Sequence, residues 1–304
     1  MNSEIVLSLH DMDPFSGESE LLNITTAFYT HAYQTVIDFD ISNLSNTNKP
    51  QAQFLKYRAQ IAVGQTSQIV SQLSKSKDAS SRSLVVLAKN DVSAAEALAE
   101  SSDSEDPTVQ ICAGTVLANN GEYAKAVELL SKHQGSLEAV ALLTQIHLQN
   151  NRTDLALKEV ATAKRWAQDS LLINLAEAWT NLRVGGQEKY QSSYYVYEEL
   201  ASAPGNQSPS ALVGQAVSEL HLGRVEEAEA ALNQALESEN ADVQAVANAL
   251  VLQYVIGKGD SDRAQELKAT LQSRDSEHLL LSDLRAKEAL FDTAAAKYSA
   301  KVAS

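Results

Sequence analysis

Apolar residues recur along most of the chain at the three- and four-residue spacing of amphipathic helices. Residues 211–220, just before Gly223, follow this pattern, and so do residues 226–236 just after it. Glycine ends a helix at low cost because it readily adopts the left-handed conformation, and acidic residues favour the first turn of a helix. The pattern therefore predicts a helical hairpin that turns at Gly223.

The Gly223 hairpin recurs along the chain. A small or turn-forming residue is followed five positions later by alanine at Gly121, Asn151, Gly223 and Gly259, with Gln187 followed by serine as a weaker copy. From Asn151 onward these anchors stand at 151, 187, 223 and 259, a constant spacing of 36. Such periodicity is the signature of a repeat protein, in which each unit stacks only on its neighbours.

Weaker copies at His31, Gly64 and Asn90 raise the predicted number of hairpins to about eight. Units of this length with small residues at the helix crossing, as at Ala126 and Ala228, are typical of tetratricopeptide repeats. We therefore predict an all-α fold, an α-solenoid of tetratricopeptide-like hairpins forming a right-handed superhelix. An irregular helical bundle is the alternative.

The periodicity also predicts the domain organisation. One solenoid domain spans residues 1–304, with less regular repeats in 1–107, where polar connectors interrupt the pattern, and regular repeats in 108–275. Residues 276–304 contain a last helical segment, about 277–298. We expect this segment to cap the array, because a terminal repeat otherwise exposes an apolar face.

Composition and charge restrict the function. Hydrophobic residues make up 44% of the chain, with 12 Gly and 5 Pro, which suits a packed helical protein. The formal net charge of −15 repels both nucleic acid and the anionic cytoplasmic membrane leaflet. No apolar run is long enough to span a bilayer, and the first residues lack the pattern of a signal peptide. We expect a cytoplasmic protein that binds neither nucleic acid nor lipid directly.

Candidate chemistry is sparse. The sequence contains no phosphate-binding glycine loop, nucleophile elbow or zinc-protease motif, and its six His residues are not in ligand spacing. Cys112 is the single cysteine and lies among apolar residues, which favours a small buried side chain over a nucleophile. We predict no catalytic, cofactor-binding or metal-binding residues.

Partner binding is the remaining function class. Solenoids of this kind take up partners on the concave side, which the first helix of each hairpin lines. Two positions of each first helix, its fifth and ninth, are predicted to face this groove; they are Ile111, Thr115, Ala141, Gln145, Glu177, Asn181, Val213, Val217, Ala249 and Gln253. None of these residues is basic, so capture of a peptide's C-terminal carboxylate is disfavoured and burial of apolar area is favoured.

Several segments resemble the epsilon subunit family of coatomer, the coat of Golgi-derived vesicles. The stretch from Asn174 to Gly186 and the tyrosine-rich 194–199 that follows it carry most of the resemblance. Further similar segments lie at 27–34, 154–159, 206–229 and 286–298. The resemblance covers nearly the whole chain in the same order.

This resemblance implies a partner and a place in the cell. It implies that the chain binds and stabilises the C-terminal region of the alpha subunit of coatomer, with no catalytic residues of its own. It also implies a cytoplasmic protein that is peripheral on Golgi membranes and coated vesicles and acts in Golgi-to-endoplasmic-reticulum and intra-Golgi transport. A tetratricopeptide adaptor or co-chaperone that binds another protein or peptide is the alternative.

Overall fold

The computed structural model describes residues 14–202, 208–238 and 242–298, and the regular structure in these ranges is entirely helical. The chain forms two compact units: unit 1 extends to Val196, and unit 2 starts at Tyr197. Each unit has its own apolar core.

Unit 1 consists of hairpins in which a first helix packs against the second helix that follows it. Its first helices are α1 (Pro14–Tyr29), α3 (Asn48–Ala62), α5 (Ala79–Lys89), α7 (Pro107–Asn119), α9 (Leu137–Gln149) and α11 (Leu171–Val184). The second helices are α2 (Tyr33–Asp38), α4 (Thr66–Leu73), α6 (Val92–Ala99), α8 (Tyr123–Leu130), α10 (Thr153–Ala163) and α12 (Gln187–Ser202), the last of which crosses into unit 2. A short 3-10 helix, Ser102–Glu105, precedes α7.

Unit 2 contains two further hairpins and a final helix. Its helices are α13 (Pro209–His221), α14 (Val225–Glu237), α15 (Val243–Val255), α16 (Asp262–Arg274) and α17 (Leu279–Ala295). The core of this unit joins buried side chains from α13 to α16 with Leu281 of α17.

The turn of every hairpin contains a residue with positive φ, the conformation that closes a helix C-terminus. These residues are His31, Gly64, Asn90, Gly121, Asn151, Gly185, Gly223 and Gly257. Six of them are turns that the sequence predicts, including the weaker upstream copies. The hairpin count of eight is thereby confirmed for the described residues.

Two predicted turns are wrong by two residues: Gly185 turns the chain where Gln187 was predicted, and Gly257 where Gly259 was predicted. Ala264 is buried as expected, but it follows Gly257 by seven positions because the turn before α16 is longer; Ser261 caps that helix. The turns therefore stand at 151, 185, 223 and 257, and the buried small residues of the second helices at 156, 193, 228 and 264, so neither set keeps a constant spacing of 36.

The small residues at the helix crossings lie where the repeat pattern predicts them. Ala126 and Ala228 are fully buried. A Cβ atom added to Gly114 of α7 would lie 3.0 Å from a δ carbon of Leu130 on α8. Side chains larger than alanine at Gly114 would therefore force these two helices apart.

The last helix, α17, lies where the terminal cap is predicted, and only its first residues are packed against the core of unit 2. Leu281 is buried in the core of unit 2 and Leu280 packs against that core. Every residue from 285 to 298 is exposed. Only the first turns of α17 therefore contribute to the packed array.

The core of unit 2 contains one buried acid, Glu219 of α13, which is 3% exposed. Gln215 Nε2 donates to its Oε1 at 3.2 Å, while its Oε2 lacks a hydrogen-bond partner among the described residues. Burial, assisted by the charges of Glu227 and Glu198, raises the pKa of Glu219 above its usual 4.5, against the opposing effects of Gln215 and Arg224. The ionised form of Glu219 is therefore less favourable in the folded protein than in the unfolded chain.

We expect Glu219→Gln to raise the free energy of unfolding at pH 7 by about 1 kcal/mol, because it removes a poorly solvated charge. A raised native pKa makes the contribution of Glu219 to stability largest below pH 4.5 and lowers that contribution as the pH rises through the native value. Urea denaturation at several pH values should show this fall in the wild type and a flatter profile in the variant. Equal pH profiles for the wild type and the variant would contradict the prediction.

Candidate functional site

The positive-φ turns give the register of the groove positions along each first helix. Ile111 and Thr115 precede the turn at Gly121 by ten and six residues, and Ala141 and Gln145 precede Asn151 by the same intervals. The same spacing identifies the remaining positions of unit 1, which are Leu21, Thr25, Phe54, Arg58, Ser80, Leu84, Leu175 and Trp179.

Four predicted groove residues lie two positions out of this register. The equivalents of Ile111 and Thr115 on α11 are Leu175 and Trp179 instead of Glu177 and Asn181, because the turn is at Gly185. Glu177 instead accepts a 2.6 Å bond from Lys164, and Asn181 is buried.

The same shift applies to α15, where the turn at Gly257 makes Ala247 and Val251 the equivalent positions instead of Ala249 and Gln253. Both Ala249 and Gln253 are buried in unit 2. On α13 the predicted register holds, with Val213 buried in the core and Val217 half-buried beside it. Contact of these residues with a partner stays a prediction.

Unit 1 contains a cavity of about 640 Å³, which we call the inner cavity. It lies among the first helices α1, α3, α5, α7 and α9. Its walls include groove positions from four of these helices, namely Leu21, Thr25, Phe54, Ser80, Leu84 and Ile111. Of the ten predicted site residues, Ile111 is the one that lines this cavity.

Two polar side chains at the rim of the inner cavity, Asp78 and Ser136, are already hydrogen-bonded within the chain. Asp78 caps α5 by accepting from the Ser81 amide at 2.9 Å, and Ser136 caps α9 by accepting from Ala139 at 3.3 Å. Hydrogen bonds from Ser76 and Ser81 lower the pKa of Asp78 to about 2. These capped helix ends and the anionic Asp78 disfavour an anionic ligand, so the cavity suits uncharged, largely apolar groups.

Hydrogen bonds connect three side chains beside the inner cavity: Tyr29, Arg58 and Glu138. We call them the Glu138 cluster. Tyr29 Oη donates to Glu138 Oε1 at 2.9 Å, and Arg58 Nη1 donates to Glu138 Oε2 at 2.6 Å. Glu138 lies in the first turn of α9, where the helix dipole favours a carboxylate. The cluster joins α1 and α3 to a helix about a hundred residues away in sequence.

Aromatic rings shield the guanidinium of this cluster. The Arg58 Cζ lies 4.5 Å from the Phe28 ring centroid and 5.5 Å from that of Phe54. Burial, the largest single effect, lowers the pKa of Arg58, but the charge and hydrogen bond of Glu138 together with the effects of Cys112 and Tyr29 outweigh it, so the pKa is raised. Arg58 is thus a basic residue at a groove position outside the ten predicted ones, but its charge is engaged by Glu138 and not available to a peptide carboxylate.

Catalytic chemistry finds no support in the described residues. Burial, as the main cause, raises the pKa of the fully buried Cys112 thiol to about 11, which disfavours the reactive thiolate. No group of three or more His, Cys, Asp or Glu side chains is placed to hold a metal ion in the part of the chain that the structure describes. The described helices include none that is long and apolar enough to cross a membrane.

Sequence reasoning missed the N-terminal part of this site. It extended the groove register only from residue 108 onward, although the turns at His31, Gly64 and Asn90 were recognised. Counting back ten and six residues from those turns would have found Leu21, Phe54 and Ser80. The Glu138 cluster has no such signal, since it depends on tertiary contact alone.

Comparison with known proteins decides the family. The model of the family described as coatomer epsilon subunit matches residues 17–299. The chain belongs to the coatomer epsilon subunit family. Two similar proteins are the probable coatomer subunit epsilon of Schizosaccharomyces pombe, 28% identical over 92% of this chain and 96% of that protein, and coatomer subunit epsilon-2 of Arabidopsis thaliana, 29% identical over 92% and 97%.

The fold is also similar to a solved structure. A chain in the crystal structure of the APC/C hetero-tetramer Cut9–Hcn1 superposes with a TM-score of 0.57 over 92% of this chain, at 14% sequence identity. The match spans 57% of that chain's length. Because the sequence identity is low, the match shows the fold alone. An all-α solenoid agrees with the hairpins described above, and membership of the epsilon family makes the chain a subunit of the coatomer vesicle coat.

Proposed function

We propose that this chain is a non-catalytic subunit that binds the C-terminal region of the alpha subunit of coatomer and stabilises it within the coat. Family membership supports the coat assignment, and the inner cavity is the observation that supports binding of a protein segment. Its apolar walls repeat along α1, α3, α5 and α7, so they suit a continuous segment better than a small molecule.

The same proposal gives the chain its place in the cell. Bound to the alpha subunit, it acts on the cytoplasmic side of Golgi membranes and coated vesicles, in retrograde and intra-Golgi transport. Its net charge of −15 opposes direct attachment to an anionic membrane, so the coat partner supplies the membrane contact.

Ser80→Trp is expected to weaken binding of the alpha C-terminal region at least about tenfold, a change of roughly 1.4 kcal/mol. Ser80 is a half-buried groove position on α5, and an indole there would fill much of the inner cavity. Isothermal titration of the full chain with the purified alpha region measures the dissociation constant, and circular dichroism checks that helicity is retained.

Ser71→Trp is the matched control, because Ser71 is exposed on the second helix α4. It should bind as the wild type does. Absence of binding by the wild type would overturn the proposal. Capture instead of short peptides that end in a free carboxylate would favour the adaptor alternative.

A further inference from the structure

The last hairpin of unit 2 exposes an apolar face that is covered in the hairpin before it. Val217 and Leu220 of α13 precede the turn at Gly223 by six and three residues, and both pack against the core that includes α15. Their equivalents on α15 are Val251 and Tyr254, which precede Gly257 by the same intervals and are exposed. The face that a following first helix would cover is therefore open.

The helix in position to cover this face is α17, but it does so only at its base. His278 Nε2 lies 3.3 Å from Nε2 of Gln244 near the start of α15, and His278 Nδ1 caps α17 by accepting from the Leu280 amide at 3.2 Å. Leu281 is buried, yet residues 285–298 are all exposed. The two helices therefore meet near their first residues and separate toward their C-terminal ends.

The exposed C-terminal part of α17 is itself amphipathic. Leu284, Phe291 and Ala295 follow one another at seven and four residues, which places them on one helical face, and Tyr298 lies three residues beyond the end of the helix. Phe291 is 72% exposed and Tyr298 is 83% exposed. Such a stripe is the kind of helical surface that proteins cover with another element.

We propose that these two uncovered faces, Val251, Tyr254 and Val255 on α15 and the stripe on α17, together receive one amphipathic helix of the coat partner. The inference rests on the proposed function. The inserted helix occupies the position that the next first helix holds elsewhere in the unit, so the partner extends the array by one element.

Charge supports a partner helix over a second copy of this chain. No charged residue occurs between Val243 and Val255, so the α15 face favours an uncharged, apolar surface. Between residues 277 and 298 three basic side chains stand beside four acidic ones, with Arg285 paired with Glu277 and Lys287 with Asp283, so this region is close to neutral, in contrast to the net −15 of the whole chain. Two copies would repel each other through that net charge, whereas this region accepts an uncharged, apolar partner surface.

Site-specific crosslinking tests whether one occupant touches both faces. We replace Val255 or Phe291 in the full chain by p-benzoylphenylalanine and irradiate its complex with the purified alpha C-terminal region. Both positions should crosslink to the same partner segment, at residues within about two helical turns of each other. Leu22, equally apolar and exposed but on α1, is the control position and should not reach that segment.

An affinity measurement separates failure of this inference from failure of the proposed function. The double variant Phe291→Ser and Tyr298→Ser should raise the dissociation constant at least about tenfold, while Leu22→Ser should leave it unchanged. Unchanged affinity of the double variant, with Ser80→Trp still defective, would overturn the inference and leave the proposed function intact. Crosslinks to two separate segments, or only to another copy of this chain, would overturn the inference as well. If the wild type does not bind the alpha region, both the inference and the proposed function are overturned.

Discussion

Glu138→Ala is expected to lower the free energy of unfolding by about 3–5 kcal/mol, the usual cost of leaving a buried charge without its partner. The variant removes the only carboxylate that contacts Arg58 within the described residues, and it also leaves the Tyr29 hydroxyl without its acceptor. Both side chains of the ion pair are mostly buried, with 13% and 22% exposed. Urea denaturation followed by circular dichroism measures the loss as a lower midpoint.

Glu177→Ala is the matched control for this prediction. The Lys164–Glu177 pair has the same 2.6 Å separation, but about a third of each side chain is exposed, so its removal should cost about 1 kcal/mol or less. Equal losses from the two variants would show that burial does not strengthen the Glu138 cluster. Replacing both Arg58 and Glu138 by apolar residues should recover much of the loss, because no unpaired charge then remains.

Gly214→Ala is expected to destabilise unit 2 by about 1–3 kcal/mol through overpacking. A Cβ atom at this position of α13 would lie 2.3 Å from a ring carbon of Tyr197, far inside van der Waals contact. The ring is buried, so it can move only by disturbing its neighbours. This cost should exceed the roughly 1 kcal/mol that alanine gains over glycine inside a helix.

Gly114→Ala on α7 is the control for this prediction. It distinguishes the clash at Gly214 from the general effect of replacing glycine by alanine in a helix. There the nearest atom is a δ carbon of Leu130 at 3.0 Å, which a small side-chain adjustment can relieve. The helix-propensity gain should offset most of its cost. Similar melting temperatures for the two variants would contradict the close approach at Gly214.

Local chain chemistry explains which parts of the fold were predictable. Gly121, Asn151 and Gly223 end first helices because they adopt positive φ at low cost, and the small residues after them fit the helix crossings. The turn at Gly185 was missed because two consecutive glycines precede α12, and the buried small residue there is Ser193, whose hydroxyl donates to the Ala178 carbonyl. The spacing of the small residues thus gave the correct repeat but shifted its register.

The site was less predictable than the fold. Groove positions follow from the register, so a two-residue error at Gly185 or Gly257 moved four predicted residues off the groove. The basic groove residue, Arg58, is neutralised by Glu138, and only tertiary structure brings the two together. Local periodicity contains no information about contacts of that sequence separation.

The Glu138 cluster constrains the order of events as the chain is synthesised. Tyr29 and its acceptor are 109 residues apart, so α1 lacks this anchor until α9 has been made. At roughly 5–20 residues per second the ribosome needs on the order of ten seconds to supply it. During that interval Tyr29 and Arg58 lack their Glu138 partner, so the first two hairpins acquire their final contacts only after the fifth begins to form.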